Sequence, residues 1–501
     1  MLPDLLAVGV PWAVASIVLP LAVALAAIAL GPHARHLVLP GALLGAVIAL
    51  AAAAQVLAHG AWHHAVGGWL PPLGIRLRLD GLAASFLVAT AVVACGVAGF
   101  SRRLFEPSAR RETRAGFAFW PLFFVMWAGL NAVFLGADLF NLYVALELLT
   151  LTAVAMVALD GKAETLAAAI RYLLFALLGS LAYLLGVALL YARYGALDLG
   201  LLRAAAVPDA ITLAAGAIMT AGLMAKTAIF PLHGWLPPAH AGAPTPASAM
   251  LSALVVKASF YLIARLWFDV LPAAATVETS QLFGALGAGA IVFGSLLALR
   301  QEQLKLVIAY STVAQLGYLF LMFPLTGSAA APQPWAAAAW TGGMFHALAH
   351  APAKAAMFLA AGLMIKACGD GRLAPLAGIG RDLPIACFAF GLAAVSLMGL
   401  PPSGGFTAKY LLLTAALASG QWWWALAILA GGLLAAAYLF RVLNRFLIAP
   451  AEAAPRVAVA RRDQAIALAL AGVSILLGLA SLVPYQLLQI GRPAAAVGGL
   501  S

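Results

Sequence analysis

The sequence predicts an all-α, polytopic membrane bundle of about fourteen spans, and three observations lead there. Hydrophobic residues make up 65% of the 501-residue chain and charged ones only 9%, well outside the composition of a soluble globular domain. Apolar runs of about 20 residues, the length that crosses a bilayer as a helix, recur from end to end. The basic residues collect in alternate breaks between those runs, so the formal charge of +11 reflects membrane topology and not nucleic-acid binding.

In order, the runs lie near 5–31, 37–59, 81–101, 115–136, 138–159, 166–193, 210–230, 243–268, 281–300, 303–325, 337–366, 384–419, 421–447 and 464–491. Placing the N-terminus outside puts the basic stretch from Ser101 to Arg114 in the cytoplasm, together with Arg441, Arg445, Arg456, Arg461 and Arg462. Of the 28 basic residues, 18 then fall inside, 6 outside and 4 within spans, which favours both termini outside. Cysteines introduced at position 108 and in the C-terminal tail are expected to label from opposite sides; labelling of both from one side contradicts this topology. Met1-Leu-Pro-Asp4 has no basic n-region, so the first span is expected to be retained. His33, His36, His59, His63 and His64 fall at span ends or in loops and read as interfacial, as do Trp422, Trp423 and Trp424. Gly284, Gly287 and Gly289 follow no strand, so they read as close helix packing and not as a nucleotide loop. Cys95, Cys368 and Cys387 form no paired motif and support neither an iron–sulfur cluster nor a disulfide framework.

Five ionisable residues lie deep inside spans: Glu147, Lys226, Lys257, Lys354 and Lys409. All other charges fall in loops or near span ends. A charge at the bilayer centre costs a few kcal/mol or more, so such residues face a bundle interior or a hydrated path. Lysine releases its proton more readily as it is desolvated, and a file of lysines with one carboxylate therefore reads as a proton route. The competing reading is snorkelling of lysine stems toward span ends.

Two of these lysines stand beside helix breaks. In the seventh span the helix stops soon after Lys226, at Pro231 and the following Leu-His-Gly-Trp-Leu-Pro-Pro238. In the twelfth, Gly399-Leu-Pro401-Pro402-Ser-Gly-Gly405 interrupts the run just before Lys409. Proline removes an amide hydrogen and clashes with the preceding turn, and the freed groups cannot face lipid. Paired interrupted segments mark an inverted repeat and its ion path, here with halves of 115–268 and 281–447 flanked by 1–114 and 448–501. His346, His350 and Lys354 share one face of the eleventh span at spacings of four. With no Glu between the histidines and no third ligand nearby, no metal is expected there; a hydrogen-bonded relay suits the imidazoles better. His233 and His240 flank the seventh-span break and read as part of an inlet path.

These residues resemble the antiporter-like, proton-conducting subunits shared by Mrp-type Na+/H+ antiporters, respiratory complex I and membrane-bound hydrogenases. The matching segments are Asp138 to Glu147, Lys226 to Pro237, Ala243 to Ser248, Lys257, Lys305 to Thr312, the His346/His350/Lys354 run, and Gly399 to Lys409. The resemblance implies two inverted five-helix repeats with flanking helices. It also implies that Glu147 and Lys226 form the charge pair of the first half-channel. Lys257, His346, His350 and Lys354 then form the central polar axis, and Lys409 the terminal lysine of the second half. Lys305 joins the inlet path, although Leu306 stands where several members carry a further basic residue. Pro352, between His350 and Lys354, is expected to bear on how that axis lines up. Lys409 stands where one complex I branch has glutamate, and the chain shows no long lateral helix after its fourteenth span. The resemblance is therefore greatest to the D-type subunits of Mrp antiporters.

The implied function is proton translocation within a multisubunit Na+/H+ antiporter of a bacterial inner membrane. The implied partners are other membrane subunits, H+ and Na+ or K+, without a cofactor of this chain's own. Two rivals stand beside it: the pump subunit of an NADH:quinone oxidoreductase or hydrogenase complex, and a membrane scaffold coupled to anion uptake. In the expected mechanism Lys226 stays charged while paired with Glu147 and releases its proton when the pair separates. A membrane voltage of 100 mV moves an elementary charge by about 2.3 kcal/mol, so one such pair is of a useful size.

Overall fold

The computed structural model of the protein describes residues 11–105, 113–328, 331–332, 334–448 and 456–493. Position 108, part of the basic stretch after Ser101, the start of the first predicted span and the tail from 494 lie outside the described residues. Helices dominate because a segment in hydrocarbon must satisfy its own backbone N–H and C=O groups, and a helix does so internally. Three helices lead: α1 (Trp12–Leu30), α2 (Ala34–His59) and α3 (Gly81–Leu104). Then come α4 (Arg114–Leu135), α5 (Leu139–Val157), α6 (Ala163–Tyr194), a short α7 (Leu199–Ala205), the interrupted pair α8 (Ala210–Thr227) and α9 (Leu236–Gly242), and α10 (Thr245–Val270). The second half repeats that order with α11 (Val277–Arg300), α12 (Leu304–Thr326), α13 (Ala336–Cys368), the interrupted pair α14 (Pro384–Met398) and α15 (Gly404–Ala418), and α16 (Trp422–Leu447). The chain closes with α17 (Arg461–Leu479) and α18 (Leu482–Gln489).

Among the described residues, 12 stretches are long and apolar enough to cross a membrane. Dividing the first of them at the tight turn Gly31–His33, and adding the interrupted pair α14–α15, accounts for all the predicted spans. The matching order of long, interrupted and final helices supports the proposed repeats 115–268 and 281–447.

Span ends gather on two faces, and aspartates and threonines organise many of them. Asp138 accepts from Phe140 and Asn141 N–H at 3.0 and 2.9 Å to start α5, and Asp209 accepts from Thr212 N–H to start α8. One face carries a β-hairpin that an all-helical reading places in a loop. Strands β1 (Trp62–Ala65) and β2 (Arg76–Leu79) pair antiparallel, Trp62 opposite Leu79. Its signal is the alternation Arg76-Leu-Arg-Leu79, with the two leucines buried, which is too short to stand out against helical runs. The opposite face carries the ion pairs Arg441–Glu302 and Arg456–Asp382 and the cleft that gathers Arg35, Arg102, Arg103 and Arg462.

Small residues set the closest helix approaches, as Gly287 suggests. A Cβ on Gly287 meets Gly317 O at 2.6 Å and one on Gly317 meets Gly287 O at 2.3 Å, so α11 and α12 touch backbone to backbone. Gly179 and Gly222 do the same for α6 and α8. Gly284 seats the Trp424 ring and Gly289 lies against Phe230. Trp422 and Trp423 point outward from the start of α16, in keeping with an interfacial position.

Candidate functional site

The first charge pair is formed. Glu147 on α5 and Lys226 on α8 approach to 3.2 Å (Nζ to Oε1), with Lys226 buried and Glu147 partly so. Lys226 also donates to Thr150 Oγ1 at 2.9 Å, Ala176 O at 3.3 Å and Ser180 Oγ, and the Ser180 hydroxyl donates to Glu147. The ammonium thus has several alternative acceptors at one point, which lets it leave the carboxylate without losing all its hydrogen bonds. Thr150 and Ser180 give no charge signal in the sequence, because a hydroxyl in an apolar run usually bonds its own helix backbone.

α8 ends one residue after Lys226, with Ala228 in the left-handed region (φ 58°), and the chain turns through Pro231 into α9. The Ala225 carbonyl, which takes the Ala228 N–H at 3.2 Å, also accepts the Trp235 indole N–H at 2.8 Å. At the second break Leu397 O accepts Lys409 Nζ at 2.7 Å and Gln315 Nε2 at 3.1 Å, and Ser403 caps α15 through Phe406 N–H. Gly399 has no room for a side chain, since a Cβ there meets Lys409 Cδ at 2.6 Å. Pro231, Pro401 and Pro402 themselves lie on the surface of the chain, while the Leu397 carbonyl, whose helical partner position is Pro401, turns inward to Lys409. Lys226 stands before its break and Lys409 after its own.

Between the breaks lie the central residues. Lys257 is buried on α10, just past a π-helical turn at Leu251–Val255, and donates to Ser252 O at 2.8 Å. Ser252 in turn bonds Thr312 of α12 at 2.8 Å. A π turn releases carbonyls from the regular ladder, and such turns concentrate at functional sites. Lys354 is buried on α13 and donates to Ile308 O at 2.9 Å and to Ser311 Oγ, both on α12. The imidazoles of His346 and His350 stack at 5.8 Å between centroids. Neither nitrogen of His346, nor Nε2 of His350, has a partner within the described residues.

The three side chains share a face as their spacing predicts, but the hydrogen-bonded relay is not made directly: Lys354 turns to α12 instead of to the histidines. Pro352 leaves α13 continuous from Ala336 to Cys368. Tyr318 of α12 closes the gap to the second half, its ring 5.3 Å from the His346 ring and 4.1 Å from Lys409 Nζ. That tyrosine too is hidden in an apolar run.

The predicted inlet residues separate. Lys305 donates to Ala243 O at 2.7 Å and lines a recess of about 650 Å3 that also holds Asp160, Lys162 and Lys366, on the face opposite the hairpin. His240 is fully buried against the Phe358 ring at 4.8 Å, with both nitrogens unpartnered among the described residues. His233 is half-buried beside Phe230 and Phe293.

Residues 136–435, which hold the charge pair, both breaks and the central lysines, match the family described as NADH:quinone oxidoreductase/Mrp antiporter, TM. The chain is 36% identical over 437 residues to the NADH-quinone oxidoreductase subunit N of Desulforudis audaxviator (strain MP104C), covering 85% of each. It is 28% identical over 408 residues to the D-type Na(+)/H(+) antiporter subunit of Bacillus subtilis (strain 168), covering 81% of this chain and 79% of that one. The structure superposes on a chain of the Mrp complex from Dietzia sp. DQ12-45-1b with a TM-score of 0.86 and 26% identity, covering 97% of this chain and 98% of that one.

Proposed function

Because the chain belongs to the NADH:quinone oxidoreductase/Mrp antiporter family of membrane proteins, we propose that it is the proton-translocating membrane subunit of a multisubunit Na+/H+ antiporter. The observation that carries this reading is the Glu147–Lys226 pair, held at 3.2 Å beside the first helix break with hydroxyl acceptors waiting around it. A proton enters from the recess at Lys305 and passes His240 to the central lysines Lys257 and Lys354. When Glu147 and Lys226 separate, the lysine gives up its proton to the axis at Lys257, and the proton passes on through His350 and His346 toward Lys409. The nitrogens of His346 and His350 that have no partner among the described residues are free to join a hydrated chain. Lys409 then releases the proton beyond the second break.

The bacterial antiporter and oxidoreductase relatives support placement in a bacterial inner membrane, with other membrane subunits as partners. The 36% identity to a subunit N favours one second reading, a pump subunit of a quinone-reducing complex.

Purification of the native complex separates the readings. Co-purifying small membrane subunits, together with proton flux driven by a Na+ or K+ gradient in vesicles, support the antiporter. Flavin or iron–sulfur subunits, with no cation-driven flux, overturn it in favour of the redox pump. An assembled complex with neither flux reduces this chain to a scaffold.

A further inference from the structure

Lys257 heads a second polar file that the transport path does not use. Tyr261, Arg265 and Asp269 follow it along α10 at spacings of four, which stacks them on one helix face leading from the central axis to the hairpin face. A continuous file of this kind would let a proton at Lys257 leave directly, without reaching Lys409.

The hydrogen bonds close that file. The buried Arg265 guanidinium donates to Tyr261 Oη from Nε at 3.0 Å and from Nη2 at 2.8 Å. It also donates to Asp80 Oδ1 at 2.6 Å and to Asp269 Oδ2 at 2.8 Å. Tyr261 spends its one hydrogen on Phe134 O at 2.6 Å, and its ring sits between Phe86 and Phe134. A hydroxyl has one donor and two lone pairs, so this oxygen is saturated. A proton arriving from either side finds no acceptor at Tyr261, and Phe134 O is a backbone carbonyl that relays nothing onward.

Beyond it stands a fixed positive charge, since arginine does not release its proton in proteins. Arg78 locks the outer end, 2.8 Å from Asp80 Oδ2 and 3.1 Å from Asp269 Oδ2, with Arg203 4.0 Å from Asp269. Burial opposes the charge on Asp80, which sits just ahead of α3, but Arg265 and Arg78 outweigh it and hold the carboxyl below its usual range. The carboxylate that anchors the seal is thus held by two guanidinium groups, Arg265 at 2.6 Å and Arg78 at 2.8 Å.

We propose that Tyr261 and Arg265, held by Asp80 and Asp269, form a proton seal that closes Lys257 off from the hairpin face and commits its proton to Lys409. Arg265 is a positioning and barrier residue here, and the inference rests on the proton path proposed above. A buried arginine is a recognised electrostatic barrier to protons in membrane pores.

The test is passive proton leak in vesicles holding the full assembled complex, with no cation gradient and no driving reaction. The paired variant Arg265→Gln/Asp269→Asn keeps net charge constant. It is expected to raise proton leak at least about 10-fold, the change that a barrier lowered by ~1.4 kcal/mol gives. Leak of Na+ and K+ should stay at the wild-type level. Adding Lys257→Met to the paired variant should abolish the leak. If the paired variant does not assemble, Arg265→Gln alone, which leaves Asp80 and Asp269 still paired with Arg78, is expected to leak protons in the same Lys257-dependent way. A tight membrane in the assembled variant overturns the seal, as does a leak that persists after Lys257→Met or carries other cations. Because this readout needs no coupled transport, it is separable from failure of the transport reading, which shows as normal flux without Glu147.

Discussion

Glu147→Gln is expected to insert and assemble, yet to lose coupled proton flux by more than about tenfold, a barrier increase of only ~1.4 kcal/mol. The geometry explains why so small a change of atoms has so large an effect. Lys226 is buried at the end of α8, with Glu147 as its one carboxylate at 3.2 Å and hydroxyls and a carbonyl as its other acceptors. Glutamine keeps the shape and a hydrogen-bond acceptor but removes the charge that holds the lysine's proton. Breaking a buried pair by removing one partner costs about 3–5 kcal/mol, which the site avoids by discharging the lysine. A discharged Lys226 has no proton to give up when the pair parts. Lys226→Ala should be equally inactive, because among the described residues Glu147 then has only Ser180 to bond and no cation to part from. Proton flux per assembled complex is the measurement. Normal flux in Glu147→Gln removes the pair from transport.

Much of this arrangement is legible in the sequence because charge and proline are loud signals in an apolar chain. Lys226, Lys257, Lys354 and Lys409 announce themselves by position alone, and all four are buried in the structure. Both helix breaks are visible from Pro231 and from Pro401-Pro402, since proline cannot donate to the helix ladder. The partners of those lysines are not visible. Thr150, Ser180, Ser311 and the carbonyls of Ser252, Ile308 and Leu397 are chosen by tertiary packing, and nothing in a hydroxyl's sequence position separates it from one that bonds its own turn.

Tyr318 is hidden for the same reason. Arg265 and Asp269 do lie near a span end, but that position suggests solvent. Their burial depends on Asp80 and Arg78, which come from a hairpin almost two hundred residues away in the chain. Spacing places His346, His350 and Lys354 on one face, yet it cannot say that Lys354 turns to Ser311 and leaves the imidazole nitrogens without partners among the described residues.

The central claim is that protons cross this chain by titrating its buried lysines, with Lys409 as the last of them. Lys409 sits past the second break, donating to Leu397 O at 2.7 Å and lying 4.1 Å over the Tyr318 ring. It receives a proton from the His346 side, is repelled by any charge on Lys354, and can pass the proton on only if it can lose it. Lys409→Ala should abolish flux, and Lys409→Glu should keep part of it because a carboxyl still titrates. Lys409→Arg is the sharpest probe: it preserves the positive charge, the donors to Leu397 O and the attraction to the Tyr318 ring, but arginine does not release its proton in proteins. Proton flux through vesicles holding the full complex, normalised to the amount assembled, should fall to background in Lys409→Arg; flux at the wild-type level would mean that this lysine acts only through its charge and that the proton leaves by another route.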